Sequence, residues 1–253
     1  MQDATQVKVY REAANHQGAF ESFHAFILIK LAPRLKPGMR VVDLCCGPCD
    51  LLCRLAQIYP SVTFVGVDLS EEMLEAAEQK RKSLGLHNLE LVLDDVSSLK
   101  KLSIDSFDLA MSTVALHHLP TTLALNQCFA QTARILKANG QIFFADFRSL
   151  KNKTSVEGLI EVIAKNEDPM FQFDFAESLR AAFDPCDFAV ALQNFRQKIE
   201  KIQFTCRPVL MMAATELKPK CKRALLLNSG DLKNLNWKQR AEVLLMMYLF
   251  KDV

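Results

Sequence analysis

Residues 41 to 50 read Val41-Val42-Asp43-Leu44-Cys45-Cys46-Gly47-Pro48-Cys49-Asp50. An apolar pair leads into an acid, then into a turn of small residues. Apolar positions at helical spacing follow at Leu51, Leu52, Leu55 and Ile58. That order predicts a buried strand, a tight loop and a helix. Such a loop lets backbone N–H groups approach a polar ligand at the helix N-terminus. The next apolar run, Val62-Thr63-Phe64-Val65-Gly66-Val67, closes on a second acid, Asp68. An acid at the end of a second strand can accept hydrogen bonds from ribose hydroxyls.

The same alternation continues. Leu89 to Val96 reads as a third strand ending in the acids Asp94 and Asp95. Ser106-Phe107-Asp108-Leu109-Ala110-Met111-Ser112-Thr113 reads as a fourth, followed by Val114-Ala115-Leu116-His117-His118-Leu119-Pro120. Thr121 is placed to cap a helix with apolar positions at Leu125, Phe129, Ala133 and Leu136, which Asn139-Gly140 is expected to end. Gln141 to Phe147, carrying Asp146, reads as the fifth strand.

These motifs, in this order, resemble class I S-adenosylmethionine-dependent methyltransferases over roughly residues 36–150. The family's usual loop is acid-x-Gly-x-Gly-x-Gly. Here Cys45 and Cys49 stand where glycines are usual and the middle one, Gly47, is kept. Cysteine carries a Cβ and resists positive φ. Phe107-Asp108-Leu109, then Leu116-His117-His118-Leu119-Pro120, is close to the family's fourth motif. The resemblance implies an α/β, doubly wound, Rossmann-like sheet of seven strands and S-adenosylmethionine as cofactor. It implies that Asp43 and Gly47 hold the methionine end, Asp68 the ribose, and Asp95 and Val96 the adenine, with Cys45, Cys46, Leu69, Met73 and Asp94 also among the cofactor-binding residues. Ser112 and Thr113, counted with them, would face the methyl group from the end of the fourth strand. It further implies that His117 acts as a general base oriented by Asp146. The plainer alternative is that the two histidines cap and pack the turn before the next helix.

A chain of 253 residues, half of them hydrophobic, can bury a sizeable core, and it is expected to form one domain over residues 1–253. A net charge of +2 gives no reason to expect nucleic-acid binding. The first residues carry neither a basic n-region nor an apolar h-region, and no apolar run reaches the length of a membrane span. A cytoplasmic protein is expected. Four of the eight cysteines, Cys45, Cys46, Cys49 and Cys53, fall close together. Cys46-x-x-Cys49 has ligand spacing, but no second pair completes a set, so no metal is expected. Cys128, Cys186, Cys206 and Cys221 are scattered and read as small core or surface residues.

Outside the core motifs, residues 17–34 place Phe20, Phe23, Ile27, Leu28 and Leu31 at helical spacing and predict an amphipathic helix. In similar proteins the segment bearing Tyr10, Arg11, His16 and His24 covers the cofactor; the plainer reading is a packing helix with those polar residues on its solvent face. Residues 151–197 read as a helical insertion: a helix over 155–166, a break at Asn166-Glu167-Asp168-Pro169, a helix over 178–183 and a start at Pro185. Ile199–Thr205 and Val209–Ala213 are the expected last strands, in the family's antiparallel finish. Residues 215–253 carry eight basic and four acidic residues and end in an apolar run read as a mostly buried helix. The other reading of that tail is a contact with a partner or a membrane surface. Two functions stay open: methyl transfer to a small-molecule acceptor the sequence does not choose, and a non-catalytic accessory role on the same fold. Oligomeric state is not legible.

Overall fold

The computed structural model describes residues 19–150, 153–165, 167–207, 209–216 and 235–251. Tyr10, Arg11, His16, Cys221 and the basic residues between 218 and 233 lie outside them.

The strands are β1 (Arg40–Leu44), β2 (Thr63–Asp68), β3 (Leu89–Leu93), β4 (Phe107–Thr113), β5 (Leu136–Phe147), β6 (Ile202–Cys206) and β7 (Leu210–Thr215). They form one seven-stranded sheet in the order β3-β2-β1-β4-β5-β7-β6. The first five are parallel, and β7 runs antiparallel to both β5 and β6. This is the Rossmann-like methyltransferase architecture that the motif order implies. Parallel strands are covered on both faces, which is why β1 is apolar on both sides of its pleat. Val41, Phe64, Leu109, Phe143 and Met212 point into one core; Val42, Val65, Ala110, Phe144 and Met211 point into the other.

The first core is covered by α1 (Ala19–Leu31), α2 (Asp50–Ile58), α3 (Glu71–Ser83) and α8 (Trp237–Leu249). The second is covered by α4 (Thr122–Ile135) and α7 (Pro185–Ala191). The insertion supplies α5 (Lys153–Leu159), which widens into a π turn over Ile160–Ala164, and α6 (Pro169–Ala181). Its Phe171, Phe175 and Leu179 form a separate cluster with Phe147. Asp168 and Asp184 cap α6 and α7, with prolines in the first turns.

Three expectations are corrected. The helix α4 stops at Ile135, not at Asn139-Gly140. Leu136 is already extended and pairs with Phe107, so its apolar side chain serves a strand. Asn139 takes a left-handed φ of 61° where the register shifts between the Phe107 and Leu109 pairs. The turn signal is real, but it marks an irregularity inside β5. Second, α1 is not amphipathic, because the sheet lies on one side of it and α8 on the other. Ala25, Phe26, Ile27, Leu28, Ile29 and Leu31 are all buried. Third, α8 is not mostly buried. Gln239, Val243 and Phe250 face inward, while Trp237, Leu244, Leu245 and Tyr248 face solvent.

Candidate active site

The strand order reverses between β1 and β4, and a cavity of about 450 Å³ opens beyond the carboxyl ends of the strands there. Its floor is the loop from β1 to α2. Cys45, Gly47 and Cys49 all hold left-handed backbone, with φ of 57°, 53° and 60°. The chain therefore keeps the glycine-type path although two of its residues carry a Cβ, at a cost of about 1 kcal/mol each. A Cβ on Gly47 would project into open space. The room beside this backbone is room for a ligand.

The loop is tied to β2 through Asp68. Its Oδ2 accepts from the Gly47 N–H at 2.8 Å and its Oδ1 from the Ser70 N–H at 2.9 Å. Behind the loop, Gly66 allows a close approach. A Cβ there would stand 2.8 Å from Cys46 Sγ, 3.0 Å from Cys49 Sγ and 3.2 Å from Leu52 Cδ2. Gly66→Ala is therefore expected to push the loop off its seat and cost about 1–3 kcal/mol. A thermal melt should fall by several degrees, with weaker ligand binding alongside.

Cys49 and Cys53 are buried in the first core, and Cys46 packs against it. Burial, then the contact with Cys49, raises the Cys46 thiol well above its usual range, so the ligating thiolate is disfavoured. Among the described residues no group of three or more His, Cys, Asp or Glu side chains is placed to hold a metal ion. Elemental analysis of purified protein is expected to find no stoichiometric zinc or iron.

Asp43, Cys45, Cys46, Gly47, Asp68, Leu69, Met73, Asp95, Val96 and Thr113 all line the cavity. Asp94 and Ser112 do not. Asp94 braces its own loop, accepting from the Asp95 and Lys101 N–H groups. The Ser112 hydroxyl is buried and donates to the Leu44 carbonyl at 2.8 Å. His117 and Asp146 meet each other behind the wall of the cavity. Both are almost inaccessible, and His117 Nδ1 lies 2.7 Å from Asp146 Oδ1. Asp146 also accepts from the N–H groups of His117 and Phe147. Of the two adjacent imidazoles His118 lines the cavity, its ring centroid 4.1 Å from that of His117. Surrounding protein, and then His117, lower its pKa, so it stands neutral at physiological pH.

Sequence reasoning passed over Phe23 and Ser70 as well, which line the cavity with His24. The capping serine of α3, three residues before Met73, was the available signal for Ser70. Val114, at the end of β4, holds φ at 51°, a strained value for a β-branched residue, while its N–H donates to the Ala145 carbonyl.

The electrostatics are one-sided. Four carboxylates (Asp43, Asp50, Asp68 and Asp95) line the cavity, and among the described residues no lysine or arginine does. Asp50 is ion-paired with Lys80. Burial, and then the like charge of Asp68, raise Asp43 to about 8. An acid whose folded pKa is raised stabilises the fold below its ordinary range, and that stability is lost as pH climbs toward about 8. Asp43→Asn keeps the neutral form and should remove this dependence. The variant is expected to melt progressively higher than the parent as pH rises across that window, which thermal melts over a pH series would read.

Residues 35–204 match the family described as "Methyltransferase domain". The chain belongs to that family. Within the methyltransferase-domain family it is 30% identical over 148 residues to a demethylmenaquinone methyltransferase of Listeria welshimeri, covering 58% of this chain and 61% of that protein. A demethylmenaquinone methyltransferase of Staphylococcus saprophyticus is 33% identical over 109 residues, 43% of this chain and 44% of that one. The chain thus spans about six tenths, or less, of the length of these curated relatives. Among solved structures, a SAM-dependent methyltransferase from Aquifex aeolicus superposes with a TM-score of 0.60 at 16% identity, covering 85% of this chain and 98% of that one. The plantazolicin methyltransferase BpumL, solved with SAH, does so at 0.60 and 14% identity, covering 84% and 90%. These two likenesses establish the methyltransferase fold.

Proposed function

We propose that this chain transfers a methyl group from S-adenosylmethionine to a small, largely apolar acceptor. The observation that carries the reading is the acidic lining of the cavity: aspartates at the ends of β1 and β2 and after β3, and no lysine or arginine among the described residues that line it. A dinucleotide would bring a pyrophosphate against those acids. A nucleoside bearing an ammonium and a sulfonium brings complementary charge, and its ribose brings two donors. When bound, S-adenosylmethionine supplies a methyl group on a cationic sulfur that leaves as a neutral thioether.

The chain's own residues then divide the work. Asp68 is held by two backbone amides with lone pairs left for a diol. Asp43 ionises beside a cationic ligand, so affinity should strengthen as pH rises toward about 8. Met73 and Val96, both buried, offer apolar walls for a purine. Phe23, Val114, Ala115 and Leu119 give the rest of the cavity an apolar lining suited to an uncharged acceptor. For a hydroxyl acceptor, His118 takes the proton, and the His117–Asp146 pair behind it fixes the turn that presents it. The names of the relatives make a reduced naphthoquinone the first acceptor to try.

The test is calorimetry with S-adenosylhomocysteine, then transfer of a labelled methyl group to reduced naphthoquinones and to simple phenols. Binding at micromolar ligand with label in an acceptor supports the reading. Absence of binding at millimolar ligand overturns it; binding with no transfer to any acceptor returns the chain to the accessory role.

A further inference from the structure

The helix α8 is apolar on two opposite faces, and only one of them is used by the fold. Val243 and Phe250 pack inward, with Phe250 against Phe26 of α1 at 5.9 Å between ring centroids. On the far side Trp237 is 84% exposed, Leu244 66%, Leu245 58% and Tyr248 70%. At 100° per residue these four, with Ala241, fall within one third of the helix circumference. Exposed Lys238 borders that stripe on one side, and Arg240 and Lys251 border it on the other. Lys251 Nζ lies 5.7 Å from the Tyr248 ring.

The helix cannot roll this face inward, because its orientation is pinned. The Ser22 hydroxyl donates to Glu242 at 2.6 Å. At the C-terminal end Lys30 donates to the Phe250 carbonyl and Arg207 to the Leu249 carbonyl, cations where the helix dipole favours them. Asn236 closes the other end with a capping box. An isolated exposed leucine needs no explanation, but a rigidly presented Trp-Leu-Leu-Tyr stripe does.

We infer that this face of α8 is a docking surface for an anionic lipid bilayer. The stripe supplies side chains that partition into the headgroup–acyl boundary, with tryptophan and tyrosine as interfacial anchors. Its borders supply cations alone. The only acid between 237 and 251 is Glu242, which Ser22 holds on the inner side. The sequence just before the helix, residues 217–234, adds five lysines and arginines against one aspartate. No described helix is long and apolar enough to cross a membrane, so the contact is a surface one. A second copy of the chain fits the charges less well. Isologous pairing would set the cationic borders of the two copies, Lys238, Arg240 and Lys251, against one another with no exposed acid on α8 to answer them. The surface lies one helix from the cavity: α1 turns Ser22 and Phe26 toward α8 and Phe23 and His24 toward the cavity. The inference rests on α8 and neither needs nor tests the methyl-transfer reading.

Trp237 is the chain's only tryptophan, so its fluorescence reports on this face directly. The experiment mixes full-length protein with vesicles of phosphatidylcholine, with or without phosphatidylserine. The expected result is co-sedimentation with the anionic vesicles, a blue shift of the emission and quenching by brominated acyl chains. Leu244→Glu/Leu245→Glu should weaken partitioning roughly tenfold or more, and Lys238→Gln and Lys251→Gln about fivefold each. S-adenosylhomocysteine affinity and melting temperature serve as controls for folding. Emission unchanged by either vesicle overturns the inference. So does a blue shift that follows protein concentration without lipid, with a dimer in sedimentation velocity, which gives the face to a second copy. Vesicle binding that the Leu244/Leu245 variant retains overturns it too.

Discussion

Asp68→Ala is expected to weaken S-adenosylhomocysteine binding by about 2–4 kcal/mol, roughly 30- to 1000-fold. Two losses combine. The ribose loses its charged acceptor, and the β1–α2 loop loses its tether, because the same carboxylate accepts from the Gly47 and Ser70 amides. Asp68→Asn separates them. Its remaining carbonyl oxygen can hold one amide, so the loop keeps part of its anchor while the charge is gone; an intermediate loss is expected. Removing Asp68 also removes the like charge that helps raise Asp43. The Asp43 titration should therefore move toward its ordinary range in Asp68→Asn. Calorimetry of the three proteins across pH, with circular dichroism to confirm the fold, reads both effects. Unchanged affinity in Asp68→Ala would mean that the end of β2 does not carry the ribose.

What the sequence made legible was whatever depends on the strand period and the strand ends. Asp43, Gly47, Asp68, Asp95 and Val96 were placed because each follows a short apolar run, and in a parallel sheet all such ends open on one side. What depends on packing between distant elements was not legible. Phe23 reaches the cavity because α1 lies against the same face of the sheet as α2, and nothing in residues 19–31 states that neighbour; His24 is expected there only through the resemblance. An apolar run such as 241–250 reads as buried until the pins from Ser22, Lys30 and Arg207 choose which side faces in. Asn139-Gly140 carries a true turn signal, but only the pairing of Leu136 with Phe107 tells that the turn lies inside a strand. The adjacent histidines are the sharpest case. His117 and His118 share a short 3-10 turn, where a single step in phase sends one ring to the interior and the other to the cavity.

That step in phase sets up the second large effect. Asp146→Ala is expected to destabilise the fold by about 3–5 kcal/mol, lowering the melting temperature by roughly 10 °C or more. The carboxylate is buried and serves three donors: the His117 ring, the His117 N–H and the Phe147 N–H. Deleting it strands all three where water does not reach, and the cost of unsatisfied buried groups exceeds the modest worth of the bonds themselves. With Nδ1 directed at Asp146, the other ring nitrogen of His117 is also buried and makes no hydrogen bond among the described residues. On the proposed reading His118, which lines the cavity, is the base for a hydroxyl acceptor. His118→Ala should therefore leave the melting temperature within a few degrees of the parent and lower turnover on a hydroxyl acceptor by about 10²–10⁴-fold. Thermal melts and turnover measured well below the transition divide the two roles. If instead His118→Ala is fully active, while His117→Gln loses turnover with its melting temperature retained, then the base is His117. The buried pair would then open to the acceptor during the reaction, and Asp146 would orient a base instead of holding a turn.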